Sequence, residues 1–331
     1  MATISDVAAR AGVSTATVSR AFNGKSTVDP ALAERVFRAA RELDYRPNSL
    51  ARNLRRQETT LLALIVPDVE NPFFAPVARG VEDCAVAAGY SVVLCNSDQD
   101  VDKERRYVDV ALRERMAGVV LSPTDQESGL RSLRQRRTPV VAVDRGLPGE
   151  EVDQVSVGTR AAARDAVAHL LDEGYQRVGC LIGPGGATTA TDRLDGYRDA
   201  LRAAGRDSGP RLEWQADDGS AGASELAGRF LDATDGPDAV LAGDGAMAIG
   251  VLEAMRERGM RPGRDVGLVA FDDTPWARAL DPALSVVVQP ARRVGYEAAR
   301  LLLERIARPE RAVERVVLEA ALTVRGSSRR T

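Results

Sequence analysis

The chain has 331 residues, 44% hydrophobic residues and a formal net charge of −3. This length predicts two or three folded units, and the apolar content is typical of a globular protein with a substantial core. No run of about 18 apolar residues occurs, which excludes a membrane-spanning helix. The N-terminus lacks a basic segment followed by an apolar one, so we expect a cytoplasmic protein.

The composition also argues against several kinds of chemistry. The three cysteines, Cys84, Cys95 and Cys180, are odd in number and form no CxxC pair, so we interpret them as buried free thiols. His169 is the only histidine and lies in a predicted helix, where a structural role is expected. We therefore predict no metal site, no cofactor and no enzymatic activity.

The charge is distributed unevenly along the chain. Residues 1–60 contain ten Arg or Lys and six Asp or Glu, a net of +4, and the remainder then carries −7. A basic N-terminal segment on an acidic body is expected when one end of a protein meets phosphate groups.

The segment from Ile4 to Phe22 reads ISDVAARAGVSTATVSRAF and predicts two short helices joined by a tight turn. Thr3 can cap the first helix, Gly12 permits the turn, and Ser14 can cap the second helix. A short helix with small polar residues at its start and an arginine one turn later suits a DNA major groove. The alternative is an ordinary helical hairpin with a solvated polar face. The residues expected to face outward are Thr15, Ala16, Ser19 and Arg20.

Further helices are predicted after this hairpin. Asn23-Gly24 is a turn signal, Asp29 can cap a third helix, and Pro30 can begin it. Asn48 can cap a fourth short helix, SLARNLRR. The three longer helices would form a compact DNA-binding head.

From Leu61 the pattern changes to short apolar strands that alternate with amphipathic helices. Apolar strands of this kind indicate parallel sheets covered on both faces, and their number predicts two doubly wound α/β subdomains. The strands are LLALIVP, SVVLCN, AGVVLSP, VVAVD, RVGCLIG, AVLAG, VGLVAFDD and SVVV, with two more, ERVVLE and ALTVR, near the C-terminus. The predicted units are a helix-turn-helix head at 1–47, a hinge helix and linker at 48–60, and a core at 61–331 divided into about 61–160 plus 290–320 and about 161–289.

The segments DVAARAGVSTATVSRAFNG and ELDYRPNSLARNL resemble the head and hinge of the LacI/GalR family of bacterial transcription regulators, and the resemblance continues along nearly the whole chain. It implies a core like that of periplasmic sugar-binding proteins. It also implies a homodimer that binds a palindromic double-stranded DNA operator and acts as a repressor. A small metabolite such as a sugar would control it allosterically. No leucine heptad tail follows the core, which agrees with a dimer.

The resemblance assigns DNA contacts to particular residues. Thr15, Ala16 and Arg20 match base-reading positions, and Leu54 matches a leucine that wedges into the minor groove beside Arg55. The alternative for Leu54 is a hydrophobic contact within its own short helix. The complete predicted DNA-binding set is Thr15, Ala16, Thr17, Ser19, Arg20, Asn23, Leu54 and Arg55.

Polar side chains follow several of the apolar strands. In open α/β sheets ligands bind beyond the carboxyl ends of the strands, and carboxylates with an arginine suit the hydroxyl groups of a polyol. The alternative for any one of these residues is a helix cap or an ion pair between subdomains. The residues are Asp144, Asp244, Asp272, Gln289 and, after the loop that closes a further strand, Arg193.

The family resemblance matches Arg193, Asp272, Gln289 and, less closely, Asp144 to effector-contacting positions. It adds Phe73 and Phe74, which match aromatic residues that border the effector, and Ser122, at a strand end that often lines the pocket. Asp244-Gly245 stands where the family usually has Asn-Asp, so we expect an effector different from those of familiar members, or one that binds weakly.

Two rival functions remain on the sequence alone. A solute-binding protein of a sugar transporter shares the core fold, but it would need a signal sequence and would have no helical head. An enzyme on a doubly wound fold would need a nucleophile–base pair, a metal cluster or a dinucleotide fingerprint, and none is present in the sequence.

Overall fold

The computed structural model describes residues 2–22, 28–45, 59–124, 129–147, 149–183, 188–206, 209, 211–216 and 219–330. The chain divides into two compact units, Met1–Thr59 and Thr60–Thr331. Within the described residues, no helix is both long enough and apolar enough to cross a membrane.

The first unit contains helices α1 (Ile4–Ala11), α2 (Thr15–Phe22) and α3 (Pro30–Glu42). Thr3 and Asp6 form a reciprocal capping box at the start of α1, because each side chain accepts a hydrogen bond from the other residue's backbone amide. Gly12 ends α1 in the left-handed region at φ +65°, and Asp29 caps α3 by accepting from the amides at its first turn. The predicted starts of α1 and α3 and the turn at Gly12 are thus confirmed.

Small apolar side chains form the core between these three helices. Arg35 of α3 donates to the carbonyl oxygen of Ala11 at 2.6 Å, and the rings of Phe22 and Phe37 meet edge to face at 5.3 Å. These contacts join α3 to both helices of the hairpin and hold α2 in a fixed orientation. The buried residues are Val7, Ala8, Ala11, Val18, Ala21, Val36, Ala39 and Ala40.

The second unit contains two six-stranded sheets. The strands of the first are β1 (Leu61–Val66), β2 (Ser91–Asn96), β3 (Gly118–Leu121), β4 (Val140–Val143), β5 (Asp153–Val157) and β11 (Arg315–Leu318). Those of the second are β6 (Val178–Ile182), β7 (Glu213–Gln215), β8 (Ala239–Ala242), β9 (Gly267–Phe271), β10 (Ser285–Val288) and β12 (Ala321–Thr323).

The helices of this unit are α4 (Phe74–Ala87), α5 (Val101–Arg113), α6 (Leu130–Gln135), α7 (Thr159–Asp172), α8 (Thr188–Ala203), α9 (Gly219–Leu231), α10 (Gly245–Glu257), α11 (Pro275–Ala279) and α12 (Ala291–Ala307), with a 3₁₀ helix at Gly326–Ser328. We call the first sheet with α4, α5, α6 and α12 the first lobe. The second sheet with α7 to α11 is the second lobe.

The two sheets share one topology. Their strand orders are β11-β5-β4-β3-β1-β2 and β12-β10-β9-β8-β6-β7, so each strand of one lobe has an equivalent in the other. All pairs are parallel except β10 with β12. The central strands are buried throughout, as expected for parallel sheets covered by helices on both faces.

The chain crosses between the lobes three times. The crossings fall between β5 and α7, between β10 and α12, and between β11 and β12. The third was not predicted from the sequence. The amide of Gly158 in the first crossing donates to the carbonyl of Leu318 at the third, over 2.9 Å. Ala320 in the third packs against the cores of both lobes.

The segment after the third crossing completes the second lobe. Its 3₁₀ helix places Ser328 against His169 of α7, with 2.8 Å between the His169 Nε2 and the Ser328 hydroxyl. Burial lowers the pKa of this histidine. His169 therefore has the structural role expected from the sequence. Cys95 and Cys180 are buried free thiols as predicted, whereas Cys84 is only half-buried.

Candidate nucleic-acid interface and candidate effector cleft

Helix α2 presents small side chains at its start. Ser14 caps it by accepting a hydrogen bond from the Thr17 amide at 3.1 Å, and the hydroxyls of Ser14 and Thr17 lie 2.9 Å apart. Thr15 and Ala16 are exposed, whereas Val18 is fully buried against the rest of the head. The Thr17 side chain is half-buried and held by the cap, so within the head it stabilises the start of the helix.

Arg20 is exposed one turn later on the same helix. Within the described part of the head, no acidic side chain pairs with Arg20, whereas Arg10 pairs with Glu42 at 2.8 Å. The Arg20 guanidinium therefore needs no ion pair to be broken before it meets a base. Ser19, beside it, is half-buried. The other three residues predicted to bind DNA, Asn23, Leu54 and Arg55, lie outside the described residues.

The carboxyl ends of the strands from the two lobes meet around a cavity of about 340 Å³. This volume is within the range of small-molecule sites. Side chains of both lobes line it, so a molecule in the cavity would touch both lobes at once. Seven of the eight predicted effector residues line this cavity: Phe73, Phe74, Asp144, Arg193, Asp244, Asp272 and Gln289.

Ser122 does not line the cavity, so the structure does not support its predicted place in the pocket. It follows β3 directly, as predicted, but its side chain is fully buried. Alternate residues of a strand point to opposite faces. Ser122 lies two residues after Val120 and therefore points to the same face, where Val120 packs in the core beneath α4 and α12. The Ser122 hydroxyl finds no hydrogen-bond partner among the described residues.

Asp144 and Asp272 lie at equivalent places in the two lobes. Asp144 follows β4 and Asp272 follows β9, and both have left-handed backbones, with φ of +63° and +75°. Non-glycine residues adopt this conformation at an energetic cost, and such residues are concentrated at functional sites. The conformation ends each strand and brings a carboxylate to the mouth of the cavity.

Both carboxylates have raised pKa values. Burial raises the pKa of Asp144 to about 6, against the opposing effect of the Arg193 and Arg145 guanidinium groups, and the charge of Asp272 adds to the increase. Burial also raises the pKa of Asp272, and here Arg193 and the hydrogen bond from Gln289 act in the opposite direction. The two acids thus face one shared cation across the cleft.

Arg193 of α8 lines the cavity with these carboxylates and opposes the rise in both pKa values. Its Nη1 donates to the Gly243 carbonyl at 2.8 Å, and its guanidinium carbon lies 4.3 Å from the centre of the Phe271 ring. This cation–π contact and the hydrogen bond fix the plane of the guanidinium. Its Nε is buried without a hydrogen-bond partner among the described residues, which leaves a donor for a ligand.

Gln289 is oriented by Asp272. Its Nε2 donates to the Asp272 Oδ1 at 2.8 Å, and this assigns the amide orientation because a carboxylate accepts and cannot donate. The Gln289 Oε1 is buried and has no partner within the described structure. A buried acceptor without a partner is costly, so a ligand hydroxyl that donates to this oxygen would be favoured.

Asp244 is the N-cap of α10, and its Oδ1 accepts from the Met247 amide at 2.8 Å. The helix-cap interpretation that the sequence left open is therefore correct for this residue. Asp244 also lines the cavity, so one carboxylate stabilises the helix and contributes to the polar wall.

The sequence analysis missed several residues that line the cavity. Arg145, next to Asp144, reaches Gln99 through its Nη2 at 3.2 Å, and its Nε has no partner in the described part of the chain. Asn71 accepts from the Phe73 amide at 3.0 Å and so holds the start of α4. The capping pattern N-x-F could have indicated Asn71, but no local pattern indicates Gln99.

A three-helix head with an exposed groove-reading helix, together with a two-lobed α/β core that encloses a polar cleft, defines a ligand-responsive DNA-binding regulator. Comparison with known proteins supports both parts. Residues 3–48 match the family described as bacterial regulatory proteins, lacI family, and residues 167–328 match the periplasmic binding protein-like domain.

The similarity to individual proteins extends over the full chain. The ribose operon repressor of Halalkalibacterium halodurans is 34% identical over 329 residues, 99% of this chain and 98% of that protein. A structure of the transcriptional regulator CelR with cellobiose is 32% identical, with a TM-score of 0.75 over 99% of this chain and all of that one. The Lac repressor dimer bound to operator and an anti-inducer is 25% identical, with a TM-score of 0.89 over 99% of both chains.

The chain belongs to the LacI family of bacterial regulatory proteins. It is a DNA-binding transcriptional regulator and not an enzyme. The solute-binding alternative is disfavoured because the head matches the DNA-binding domain of this family.

Proposed function

We propose that this protein is a cytoplasmic repressor that binds a palindromic operator as a homodimer, and that an uncharged sugar or sugar derivative in the cleft controls its affinity for DNA. The observation that carries the proposal is that Asp144 and Asp272, one from each lobe, line one cavity together with Arg193. A ligand that bonds to both carboxylates favours one separation of the lobes over another. Such differential affinity is what an allosteric ligand requires.

The charge of the cleft supports an uncharged ligand. Among the described residues, five carboxylates line the cavity and two guanidinium groups oppose them, so a phosphate would be repelled from most of this part of its wall. The carboxylates are Asp68, Glu70, Asp144, Asp244 and Asp272, and the cations are Arg145 and Arg193.

The helix ends at the cleft support the same conclusion. An uncapped helix N-terminus attracts anions, but Asp244 already caps α10 with its own carboxylate. At the start of α4 the Asn71 side chain accepts from the amide of Phe73, just before the helix, and the Asn71 carbonyl accepts from Phe74, its first residue. Hydroxyl groups can donate to the carboxylates and to the Gln289 Oε1 and can accept from the two arginines, so a polyol satisfies this mixture.

The names of three similar proteins support the proposal. One is a ribose operon repressor, one is in complex with cellobiose, and one is a dimer on its operator. By extension, we assign DNA contacts to Thr15, Ala16, Thr17, Ser19 and Arg20 of the head. The further assignments to Asn23, Leu54 and Arg55 derive from the family resemblance alone.

Thermal-shift measurements on the full chain test the ligand class. D-ribose, cellobiose and a wider panel of neutral sugars and nucleosides are compared with D-ribose 5-phosphate and other sugar phosphates at equal concentration. A bound ligand raises the melting temperature by mass action, and at a hundredfold excess over Kd the gain is about 2.7 kcal/mol. We expect a neutral sugar to give the largest shift. A larger shift from a sugar phosphate would contradict the proposed ligand class.

Selection of DNA by the purified protein tests the DNA half of the proposal. We expect an enriched palindrome, bound with one dimer per site, because a two-fold symmetric protein reads two-fold symmetric DNA. Enrichment of no sequence in the presence and in the absence of the sugar panel would contradict it.

A further inference from the structure

The helices α7 and α12 hold equivalent places because each begins directly after a crossing between lobes. Helix α7 begins after Gly158 and α12 after Pro290, and neither helix has a side-chain cap. In both, the second residue is an arginine, Arg160 or Arg292. Something other than a cap must therefore hold these two helix starts in place.

A glycine of the neighbouring helix contacts each start. A Cβ added to Gly80 of α4 would lie 2.0 Å from the Arg292 carbonyl oxygen. A Cβ added to Gly196 of α8 would lie 2.1 Å from the Arg160 carbonyl oxygen. No side chain fits at such distances, so in each lobe two helix backbones touch at the first turn after a crossing.

An ion pair three residues further along reinforces each contact. Arg292 donates from Nε at 3.0 Å and from Nη2 at 2.6 Å to Asp83, and Arg160 donates from Nε at 2.8 Å to Asp199. Asp83 follows Gly80 by three residues, and Asp199 follows Gly196 by three. The sequences GVED and GYRD thus carry the same arrangement in the two lobes.

These contacts lie close to the cleft along the chain. Gln289 precedes Arg292 by three residues, and Arg193 precedes Gly196 by three, which is about one helical turn on α8. Both Gln289 and Arg193 line the cavity. A shift of either helix start would therefore displace a ligand-facing side chain.

We propose that Gly80–Asp83–Arg292 and Gly196–Asp199–Arg160 form two equivalent clamps that fix the helices after the crossings and thereby set the separation of the lobes across the cleft. The arginines are positioning residues: they act through the helix starts and do not touch the ligand. The inference goes beyond the proposed function, and its test needs no ligand.

The amide of Gly146 reports on lobe separation. It lies in the first lobe and donates to the Thr188 hydroxyl of the second lobe at 3.0 Å. Opening of the cleft breaks this bond, so the hydrogen-exchange rate of Gly146 measures opening in the ligand-free protein. Gly146 and Thr188 belong to neither clamp, but Thr188 begins α8, which carries Gly196 and Asp199. Arg292→Ala, whose clamp lies in the first lobe, therefore distinguishes opening of the cleft from local loosening of α8.

The test compares Arg160→Ala, Arg292→Ala and the double variant with Arg258→Ala. Arg258 is the matched control, since it forms a two-contact pair with Asp232, at 2.7 Å for both contacts, that involves neither of the helices that follow the crossings, α7 and α12. Exposed ion pairs contribute little individually, so we expect about a 1.4- to fivefold faster exchange of Gly146 in each single clamp variant. The double variant should show the product of the two effects, and the control should show none.

An unchanged Gly146 rate in the double variant would overturn the proposal. The same acceleration in Arg258→Ala would overturn it too, because the effect would then be a general loss of stability. Gly80→Ala and Gly196→Ala should give larger changes in Gly146 exchange than the arginine variants. Gly250→Ala is the packed-glycine control, since Gly250 contacts α9 and neither α7 nor α12, and it should give no change. If the glycine variants do not fold, the arginine variants decide the question alone.

Discussion

The backbone amides of Asp144 and Asp272 donate to equivalent carbonyl oxygens in the two lobes, those of Val155 and Val287, both at 3.0 Å. Each aspartate follows the third strand of its sheet order and bonds to the neighbouring strand, and each has a positive φ. The same backbone hydrogen bond and left-handed conformation thus present one carboxylate from each lobe to the cleft. A single ligand can then bridge identical acceptors from opposite walls.

Replacement of Asp144 by Asn should stabilise the ligand-free protein near neutral pH. Burial disfavours the charged carboxylate and raises its pKa to about 6, above the unfolded value, so the native state holds a proton that the unfolded state has lost. The contribution of this group to stability is fully present below about pH 4 and is lost as the pH rises through 6. We expect Asp144→Asn to gain on the order of 2–3 kcal/mol at pH 7.5.

Denaturant unfolding at pH 7.5 and at pH 4 provides the check. The difference between the wild type and Asp144→Asn should shrink towards zero at the lower pH. Asn also tolerates the left-handed backbone, so the substitution adds little strain. A variant that is less stable than the wild type at pH 7.5 would contradict the electrostatic interpretation.

Sugar binding should weaken in acid. A hydroxyl donates best to an ionised carboxylate, so the ligand competes with the proton at Asp144 and affinity should fall about tenfold per pH unit well below the pKa. Titration calorimetry between pH 7.5 and 5 measures this, with the neutral sugar that gives the largest thermal shift. Asp144→Asn should bind weakly and lose most of the pH dependence. An affinity that rises on acidification would exclude this role for the carboxylates.

Arg20→Ala should lower operator affinity with little effect on the core. A bidentate arginine–guanine contact is worth about 1–3 kcal/mol, so we expect a loss of about 5- to 150-fold for the selected operator and a smaller loss for random DNA. Fluorescence anisotropy with both DNAs measures the two effects. Arg41→Ala is the control, because Arg41 is also exposed in the head but pairs with Glu34 at 3.1 Å. Equal losses of DNA affinity in Arg20→Ala and Arg41→Ala would indicate that Arg20 contributes only its positive charge and makes no specific base contact.

Ser14→Ala should loosen the start of α2. Loss of an N-cap typically costs about 1 kcal/mol, and here the Thr17 amide loses its acceptor. Hydrogen exchange of the Thr17 amide in the full chain should accelerate about fivefold, while exchange in the core stays the same. Ser14→Asp should restore protection since aspartate is an equally good cap. Unchanged exchange in Ser14→Ala would show that α2 does not depend on this cap.

Local chemistry explains why the head was predictable. Thr3, Gly12, Ser14, Asp29 and Pro30 all act on neighbours within three residues, and such caps depend little on the rest of the fold. The apolar strands were predictable for a related reason. A parallel strand buried on both faces must be apolar throughout, as in AVLA of β8.

Two strands escaped prediction because their stability depends on distant partners. Strand β5 reads DQVSV, and its buried Asp153 is tolerated because Arg305 donates to it from Nε at 2.9 Å and from Nη2 at 3.0 Å. Strand β7 is only three residues long and lies at the edge of its sheet. No short-range pattern marks either of them.

Prediction of the cleft residues is limited in the same way, because the direction of some side chains depends on distant partners. The rule that ligand-binding residues follow the carboxyl ends of strands located Asp144 and Asp272 at the cavity. It failed for Ser122, because the alternation of side chains along the strand and the packing of α4 and α12 set the direction of this side chain. Arg145 was missed because a long side chain after a strand can point in many directions until Gln99 fixes it. Contacts such as that of Gly196 with Arg160 join residues 36 positions apart and leave no local pattern.

The most direct test of control through the cleft is the operator affinity of the full chain, measured by fluorescence anisotropy with and without the sugar that gives the largest thermal shift. We expect the sugar to change the Kd for the operator by at least tenfold in the wild type and in Arg229→Ala, an exposed control on α9 that pairs with Glu225. In Arg193→Ala, which loses the guanidinium that lines the cavity with the two carboxylates, operator binding should persist without any response to the sugar. An equal response in Arg193→Ala and the wild type, or an operator affinity that no cleft ligand alters, would contradict the account.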